Sequence, residues 1–230
     1  MPEMISESTR HTLKLAIVLA VFSLVGTVLL ALTFDATRDN IAASEKKAKL
    51  ALIGQILPSS LYDNDLLQDT LVLPPQAELG GVESTAYRAR KGNEPSAVVL
   101  EAIAPDGYSG KIKLLIAIKQ NGEISGVRVV AHKETPGLGD YIEAVRSDWI
   151  KQFDGASLKQ IVLSPSSLPE GERDVGSLRE FQSKDWKVKK DGGRFDYMAG
   201  ATITPRAVIK AVHKALVFYA ANREKIWEGT

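Results

Sequence analysis

The first residue whose position indicates chemistry is a threonine near the start of the last predicted helix. Thr204 and Pro205 mark that start, because threonine is a good N-cap and proline is tolerated at the first helical position. Thr202 therefore lies in the loop entering the helix, where unpaired amides and the helix dipole attract anions. A phosphate on or beside Thr202 is physically reasonable. The alternative is an ordinary loop hydroxyl beside a capped helix.

A second group of polar residues and glycines follows a predicted strand, in the stretch HKETPGLGD at 132–140. Glu134 and Thr135 bring polar groups to this loop, and the glycines on either side of Leu138 allow close approach of the backbone. Such a loop could hold a planar ligand between backbone amides and the leucine side chain. The alternative is a plain connection from a strand to a helix, with Asp140 as the N-cap.

The third candidate is a turn between two predicted strands, PDGYSG at 105–110, which places Tyr108 between glycines. The ring of this tyrosine is a weaker candidate for stacking on a planar ligand. Turn formation explains the glycines without any ligand, so this motif alone says little.

The composition excludes several kinds of site. The 230 residues include no cysteine, which removes disulfides, thiolate zinc sites, cysteine-held iron–sulfur clusters and nucleophilic thiols. The three histidines, His11, His132 and His213, are too scattered for a histidine-rich metal site. A formal net charge of +1 creates no field that would attract nucleic acid. We expect no metal, no nucleic-acid partner and no catalytic side chain.

An apolar segment precedes all three loops. Residues 15–34 carry no charge, and a helix of that length crosses the ~30 Å hydrocarbon core of a membrane. A cleaved signal sequence has a shorter apolar region of roughly 7–15 residues, followed by a small-residue cleavage site. The sequence therefore predicts a retained anchor after a tail of residues 1–14. The flanking positive charges weakly favour a cytoplasmic location for the C-terminal side, although this rule loses weight before a long folded domain.

Beyond the anchor the patterns predict an α+β fold: one transmembrane helix followed by one soluble domain. Residues 37–57 have helical spacing that Pro58 ends, and residues 59–96 read as a connection with one short strand near 86–90. Strands are predicted at 97–104, 111–119 and 124–131, the last two joined by a tight Asn121-Gly122 turn. A helix is predicted at 140–153, with Trp149 and Phe153 on the same face as Val145 or Ile142. A polar stretch follows to about residue 194, broken by a short apolar alternation near Trp186 and Val188. A second helix is predicted at 205–227, with one apolar stripe formed by Val208, Ile209, Val212, Ala215, Leu216 and Tyr219. We expect a juxtamembrane and connecting region over 35–90 and the soluble domain over 91–230.

Taken together, the three loops resemble the signatures of one family. The segment DYMAGAT at 196–202 resembles the flavinylation pattern D-x-x-(S/T)-G-A-T, in which the last threonine receives FMN through a phosphoester bond. Ala199 stands where that pattern has serine or threonine. The GYSG and HKETPGLGD stretches are similar to the other signatures of the G subunit of the Rnf (Rsx) electron transport complex. The C subunit of the sodium-pumping NADH:quinone oxidoreductase is a relative. The resemblance covers nearly the whole chain, including the anchor.

The resemblance implies a cofactor, FMN, attached to Thr202. Thr135 and backbone amides of the 134–139 loop would bond the polar edge of the flavin ring, and Leu138 would pack on its face. Lys189 or Lys190 could offset phosphate charge; the alternative is a pair of solvated surface lysines. Asp196 would serve the attachment reaction or orient the loop. The implied cofactor-binding residues are Thr202, Asp196, Gly200, Ala201, Glu134, Thr135, Leu138, Gly139 and Tyr108.

The resemblance also implies a function. The expected protein is a membrane-anchored flavoprotein subunit that relays electrons within an ion-translocating ferredoxin:NAD oxidoreductase complex, rather than a stand-alone enzyme. Its expected partners are the other subunits of that complex and a flavin transferase. A single pass through the bacterial inner membrane with the soluble domain in the periplasm is implied, which overrules the charge count. No G-x-G-x-x-G follows a strand, so we expect no NAD site in this chain.

Two other classes of function stay open on the sequence. One is an assembly or scaffold subunit with a vestigial flavin site, which the alanine at 199 would favour. The other is an extracytoplasmic binding domain for a noncovalent ligand. Fluorescence of the denatured protein separates both from a covalent flavoprotein.

Overall fold

The computed structural model describes residues 7–158 and 179–228. The chain divides into two compact units, Met1–Lys49 and Leu50–Thr230. Helix α1 (Glu7–Ile56) forms the described part of the first unit and ends in the second. Among the described residues it is the one helix long and apolar enough to cross a membrane. The two helical segments predicted around residue 36 are therefore one helix, which ends before Pro58 because proline disfavours a helical residue in front of it.

A five-stranded antiparallel sheet forms the centre of the second unit, with its strands in chain order. The strands are β1 (Thr70–Leu73), β2 (Ser84–Lys91), β3 (Glu94–Gly107), β4 (Gly110–Lys119) and β5 (Ile124–Ala131). The strands predicted at 97–104, 111–119 and 124–131 are confirmed. The short strand predicted near 86–90 is confirmed as β2, whereas β1 and the start of β3 at Glu94 were not predicted within the connection over 59–96. β1 has only four residues, too few for an alternating pattern to indicate a strand.

The loop between β4 and β5 differs from the predicted tight turn. Gly122 has a φ of +85°, and its amide donates to the Lys119 carbonyl at 2.9 Å. No residue other than glycine has a positive φ in the described part of the chain, so Asn121 lacks the conformation that a primed two-residue turn requires. The loop is therefore longer, with one left-handed glycine before β5.

Helix α2 (Ile203–Trp227) covers one face of the sheet. Its predicted apolar stripe is confirmed, and these residues are all buried: Val208, Ile209, Val212, Ala215, Leu216 and Tyr219. Burying each large aliphatic side chain contributes roughly 1.5–3 kcal/mol, which makes this face the main core of the unit.

The end of α1 covers the opposite face of the sheet. Ile53, Ile56 and Leu57 are fully buried in a second core with residues of β2, β3 and β4. The backbone of Gly126 passes so close that a Cβ there would lie 2.9 Å from the Ile56 Cβ. The last residues of α1 are therefore part of the core of the second unit.

The predicted helix at 140–153 is wrong. The segment holds two short 3₁₀ helices, Asp140–Ile142 and Asp148–Phe153, separated by extended backbone at Glu143 and Ser147. The Ser147 hydroxyl donates to the Tyr141 carbonyl and accepts from the amide of Trp149. Ser147 therefore caps the second 3₁₀ helix, which does not continue the first. Ile142, Trp149 and Phe153 are buried as expected for a core face, whereas Val145 is 88% exposed.

A two-stranded parallel sheet completes the described structure, formed by β6 (Ala156–Leu158) and β7 (Arg179–Phe181). Trp186 and Val188, the apolar pair within the predicted polar stretch, are both buried. The part of that stretch over residues 159–178 lies outside the described residues.

Candidate functional site

Thr202 is the N-cap of α2, which begins at Ile203. The prediction that Thr204 caps this helix is therefore wrong by two residues, since Thr204 and Pro205 lie inside the first turn. Proline is accepted there because the first amides of a helix have no partner within it. The Thr202 hydroxyl makes no capping hydrogen bond to the helix, and the residue is half-buried. The Thr202 hydroxyl thus stands at a helix N-terminus, where negative charge is stabilised.

A tight turn precedes Thr202. The Ala201 amide donates to the Met198 carbonyl at 3.1 Å, and Gly200 has a φ of +85°. This arrangement is that of a type II turn, whose third residue adopts the left-handed conformation that glycine allows. Ala199 holds the second position and is exposed. The turn therefore needs the glycine of the flavinylation pattern but does not need a hydroxyl at 199.

Asp196, at the other end of the 196–202 loop, is held at three points. Its carbonyl accepts from Trp149 Nε1 at 2.7 Å, and its amide donates to Gln152 Oε1 at 2.8 Å. Its carboxylate forms an exposed ion pair with Lys189. Lys189, a predicted phosphate-neutralising residue, thus already has an acidic partner. The neighbouring Lys190 is exposed in a 3₁₀ turn next to the loop.

Tyr141 contacts the same loop at its other end. The Tyr141 hydroxyl donates to the Ala201 carbonyl at 3.3 Å and accepts from the Met198 amide at 3.4 Å. Burial raises the pKa of Tyr141, so its hydroxyl stays protonated at neutral pH. The ring packs edge-on against Trp149 with centroids 5.6 Å apart. Both ends of the 196–202 loop are thus bonded to one segment, residues 141–152.

Glu134 links two of the three predicted loops to the first turn of α2. Its side chain is buried, and one carboxylate oxygen accepts from the Ser109 amide at 3.0 Å while the other accepts from the Thr204 hydroxyl at 2.5 Å. Ser109 lies in the loop of Tyr108, and Thr204 lies in the first turn of α2. The carboxylate therefore joins the 105–110 loop, its own loop and the helix that follows Thr202, at a helix end that favours negative charge.

Two glycines make room for this carboxylate. A Cβ on Gly107 would lie 2.8 Å from one Glu134 carboxylate oxygen, and a Cβ on Gly139 would lie 2.7 Å from the other. The Gly139 Cβ would also lie 3.1 Å from the Thr204 hydroxyl. Gly139 is thus needed for close packing around Glu134.

Most amides of the 134–139 loop bond within the protein. The Leu138 and Gly139 amides donate to the Thr135 carbonyl, and the Gly137 amide donates to Asp140. The Glu134 amide donates to the ring of His132. The groups that this loop presents to solvent are accordingly the Thr135 and Leu138 side chains, which are exposed.

Large exposed apolar side chains stand beside the Glu134 cluster. Tyr108 is 69% exposed, Leu138 is 51% exposed and Ile203 is 46% exposed. In the chain, Tyr108 is next to Ser109, Leu138 is next to Gly139 and Ile203 is next to Thr204. Ser109 and Thr204 donate to the Glu134 carboxylate, and Gly139 packs against it. Exposed apolar side chains next to residues that contact Glu134, together with a helix N-terminus, suit a ligand with an aromatic part and an anionic part, which is the chemistry of FMN.

Two exposed ion pairs lie along the N-terminal half of α2. Arg206 bonds Asp191 through two guanidinium nitrogens, Nε and Nη2, and these bonds lower the pKa of Asp191. Lys210 bonds Asp106 at 2.6 Å, and this hydrogen bond lowers the pKa of Asp106. Asp106 precedes Gly107, so this pair is a second link between the 105–110 loop and α2.

Comparison with known proteins agrees with this site. Residues 107–217 match the family described as FMN-binding domain, and residues 4–56 match the RnfG N-terminal region. The class of protein that the fold and the site define is therefore an FMN-binding domain that follows a helix able to cross a membrane.

Relatives narrow that class to one family. A Pseudomonas aeruginosa protein is 46% identical over 94% of this chain and 92% of its own length, and its name describes it as the G subunit of an ion-translocating oxidoreductase complex. Proteins with the same name from Vibrio cholerae and Pseudoalteromonas atlantica are 40% and 38% identical, over 93% and 94% of this chain and 92% of each relative. The chain belongs to this family, the G subunits of ion-translocating oxidoreductase complexes.

The sequence motifs did not reveal the residues that hold the 196–202 loop. Tyr141, Trp149 and Gln152 lie in the segment predicted as a helix, for which the sequence predicted only a core-facing side. No local pattern marks them, because their partners are backbone atoms about 45 to 60 residues later in the chain.

Proposed function

We propose that this protein is the electron-carrying flavoprotein subunit of an Rnf-type ion-translocating oxidoreductase complex, with FMN joined to Thr202 by a phosphoester bond. The observation that carries the attachment is the Thr202 hydroxyl, which stands at the N-cap of α2 directly after the Gly200 turn and makes no capping bond. Family membership and the FMN-binding domain support the role in electron transfer.

The attachment step needs an activated donor of FMN, for which a flavin dinucleotide is suitable. The bond between Thr202 Oγ1 and phosphorus forms while the phosphoanhydride bond of the donor breaks and a nucleoside monophosphate leaves. The hydroxyl proton passes to a base of the transferase, and the oxidation state of the flavin does not change. This chain supplies the nucleophile, small neighbours at 199–201 and a helix N-terminus that stabilises the phosphate by roughly 0.3–1 kcal/mol.

The remaining site residues orient and cover the cofactor. Thr135 offers a hydroxyl to polar ring atoms, and the exposed Leu138 and Tyr108 side chains offer apolar surface. Glu134 and Gly139 hold these loops together from inside. When bound, FMN supplies the ability to accept and donate one or two electrons, and the protein sets its position and potential.

The remainder of the proposal concerns location and partners. The anchor at 15–34 lies in the bacterial inner membrane, with the soluble domain in the periplasm. The partners are the other subunits of the complex, which couples ferredoxin and NAD redox chemistry to ion movement, and a flavin transferase that modifies Thr202. Reporter fusions after residue 35 test the orientation, and cytoplasmic reporter activity would contradict it.

Co-expression with a flavin transferase tests the attachment. We expect yellow fluorescence of the full-length protein on a denaturing gel, and a Thr202 peptide heavier by FMN less water. Thr202→Val removes the nucleophile and should abolish both signals. Thr135→Val is the matched control, because it makes the same change in the same site and should leave the covalent flavin in place. A dark wild-type band, or a fluorescent Thr202→Val band, would refute the proposal.

The alanine at 199 is the observation that favours a second candidate, a scaffold subunit with a vestigial flavin site. Because Ala199 is exposed in a turn that needs no hydroxyl there, we expect wild type and Ala199→Ser to gain FMN to the same extent within about twofold. A dark wild type beside a fluorescent Ala199→Ser variant would support the scaffold role instead.

A further inference from the structure

We infer that Tyr141, Trp149 and Gln152 form a clasp that fixes the backbone of the 196–202 loop for modification, and that they are positioning residues for flavin transfer to Thr202. This inference rests on the proposed function, because it concerns the attachment reaction. None of the three belongs to the flavinylation pattern.

The clasp binds the loop through main-chain atoms. Trp149 and Gln152 bond the carbonyl and the amide of Asp196, and the Tyr141 hydroxyl bonds the main chain at Met198 and Ala201. Residues 197–200 keep their side chains exposed. The clasp therefore fixes the shape of the loop while leaving its side chains and the Thr202 hydroxyl open to a transferase.

The clasp is itself held by the core. Ile142, Ile150 and Phe153 are fully buried between and beside the three clasp residues. The Trp149 ring packs edge-on against both Tyr141 and Phe153, with centroids 5.6 and 5.7 Å apart. Rigidity of the core is thus transmitted to an exposed loop that has little packing of its own.

The loop needs this support because of its composition. Glycine at 200 and alanines on both sides of it give a loose chain in isolation. Ordering even one or two such residues on binding the transferase lowers the affinity about tenfold or more. A loop that is ordered in advance avoids this loss, so the clasp acts mainly on KM for the acceptor protein.

Conservative side-chain changes test the clasp in the full-length protein. Tyr141→Phe removes the hydroxyl and keeps the ring, and Gln152→Met removes the acceptor and keeps the length of the side chain. Tyr219→Phe is the matched control, because Tyr219 is also buried and its hydroxyl also bonds main-chain carbonyls, at Lys119 and Gln120. Gln152→Glu keeps an oxygen acceptor for the Asp196 amide but loses the donor that bonds the Trp149 carbonyl, so it serves as a partial rescue.

The rate of FMN transfer to each variant is measured with purified transferase and flavin adenine dinucleotide, over a range of acceptor concentrations. We expect kcat/KM to fall about tenfold for Tyr141→Phe and Gln152→Met, mainly through KM, and to change less than twofold for Tyr219→Phe. Gln152→Glu should recover part of the loss, because it restores the bond to the Asp196 amide but not the bond to the Trp149 carbonyl. The unmodified Tyr141→Phe and Gln152→Met variants should also show faster amide hydrogen exchange at Met198 and Asp196. A loss of general stability would instead speed exchange outside this loop as well.

The outcomes separate this inference from the proposed function. If wild type accepts FMN and Tyr141→Phe accepts it at the wild-type rate, the clasp is refuted while covalent attachment stands. A loss of the same size in Tyr219→Phe would also refute it, because the effect would then be one of global stability. If wild type accepts no FMN, the attachment and the clasp fall together.

Discussion

Glu134 should contribute stability through geometry more than through its charge. Glu134→Ala removes both acceptors and leaves the Thr204 hydroxyl, on a residue that is 1% exposed, without this partner. Glu134→Gln keeps the shape: its carbonyl oxygen can accept from the Ser109 amide, and its amino group can donate to the Thr204 oxygen. Comparison of the two variants therefore separates the hydrogen bonds from the charge.

The expected cost of Glu134→Ala is the sum of three effects. A buried hydroxyl without an acceptor costs about 1–3 kcal/mol, and loss of the bond from Ser109, which water can replace, costs about 0.5–1.5 kcal/mol. The lost methylene group adds about 0.8 kcal/mol. The total is roughly 2–5 kcal/mol, or a fall in Tm of about 5–20 °C for a domain of this size. Glu134→Gln should cost only about 1 kcal/mol, from the weaker interaction with the N-terminus of α2.

Thermal and urea unfolding of the full-length protein in detergent, followed by tryptophan fluorescence, measures these differences. Glu94→Ala, a change of the same kind at an exposed position, is the control and should lie within about 0.5 kcal/mol of wild type. Equal losses for Glu134→Ala and Glu134→Gln would show that the charge is the dominant factor. A loss below about 1 kcal/mol for Glu134→Ala would refute the role of this side chain in joining the two loops to α2.

Three further predictions follow from glycines and a half-buried histidine. Gly126→Ala should destabilise the protein by about 1–3 kcal/mol, because its Cβ would lie 2.9 Å from that of Ile56. Gly54→Ala, at a position in α1 with open space around it, should instead stabilise the protein by about 0.5–1 kcal/mol. Urea unfolding of the two variants checks this pair, because their changes in the free energy of unfolding should have opposite signs. Burial lowers the pKa of His213 from its ordinary 6.5, so the unfolded chain binds this proton first and stability should fall as the pH drops below 6.5. Tm measured from pH 8 to pH 5 should fall less for His213→Phe, and an identical slope would contradict the assignment. Gly200→Ala forces a side chain into the left-handed region, which should cost about 1–2 kcal/mol of stability or reshape the turn. Either effect should lower FMN incorporation. Incorporation at the wild-type level would rule out the type II turn.

Features that depend on neighbours in the chain were predictable. The absence of charge over residues 15–34 predicts a helix long enough to span a membrane, and the apolar stripe predicts α2. Gly200 is explained by a requirement of the local backbone, since the turn before Thr202 needs a left-handed residue. The order of the three motifs indicated the family, which the relatives confirm.

Features that depend on distant contacts were not predictable. β1 has only four residues and is held by its pairing with β2, so no local pattern marks it. The spacing of Trp149 and Phe153 suggests a helix, yet the hydroxyl of Ser147 redirects the chain between two shorter turns. In that segment the predicted burial of Trp149 and Phe153 is correct and the backbone differs, since several backbone paths can deliver the same side chains to a core.

The sequence by itself therefore predicted a helix long enough to span a membrane, because this depends on composition. Its motifs, through the family that they resemble, predicted FMN as the cofactor and Thr202 as the attachment residue. The residues that hold the 196–202 loop can be identified only in the tertiary structure. Glu134 joins its own loop to Ser109 and to Thr204 in the first turn of α2, and Tyr141 reaches across about 60 residues to the turn before Thr202. Such contacts arise only when the sheet and α2 have packed, since packing brings together polar groups that no local pattern relates.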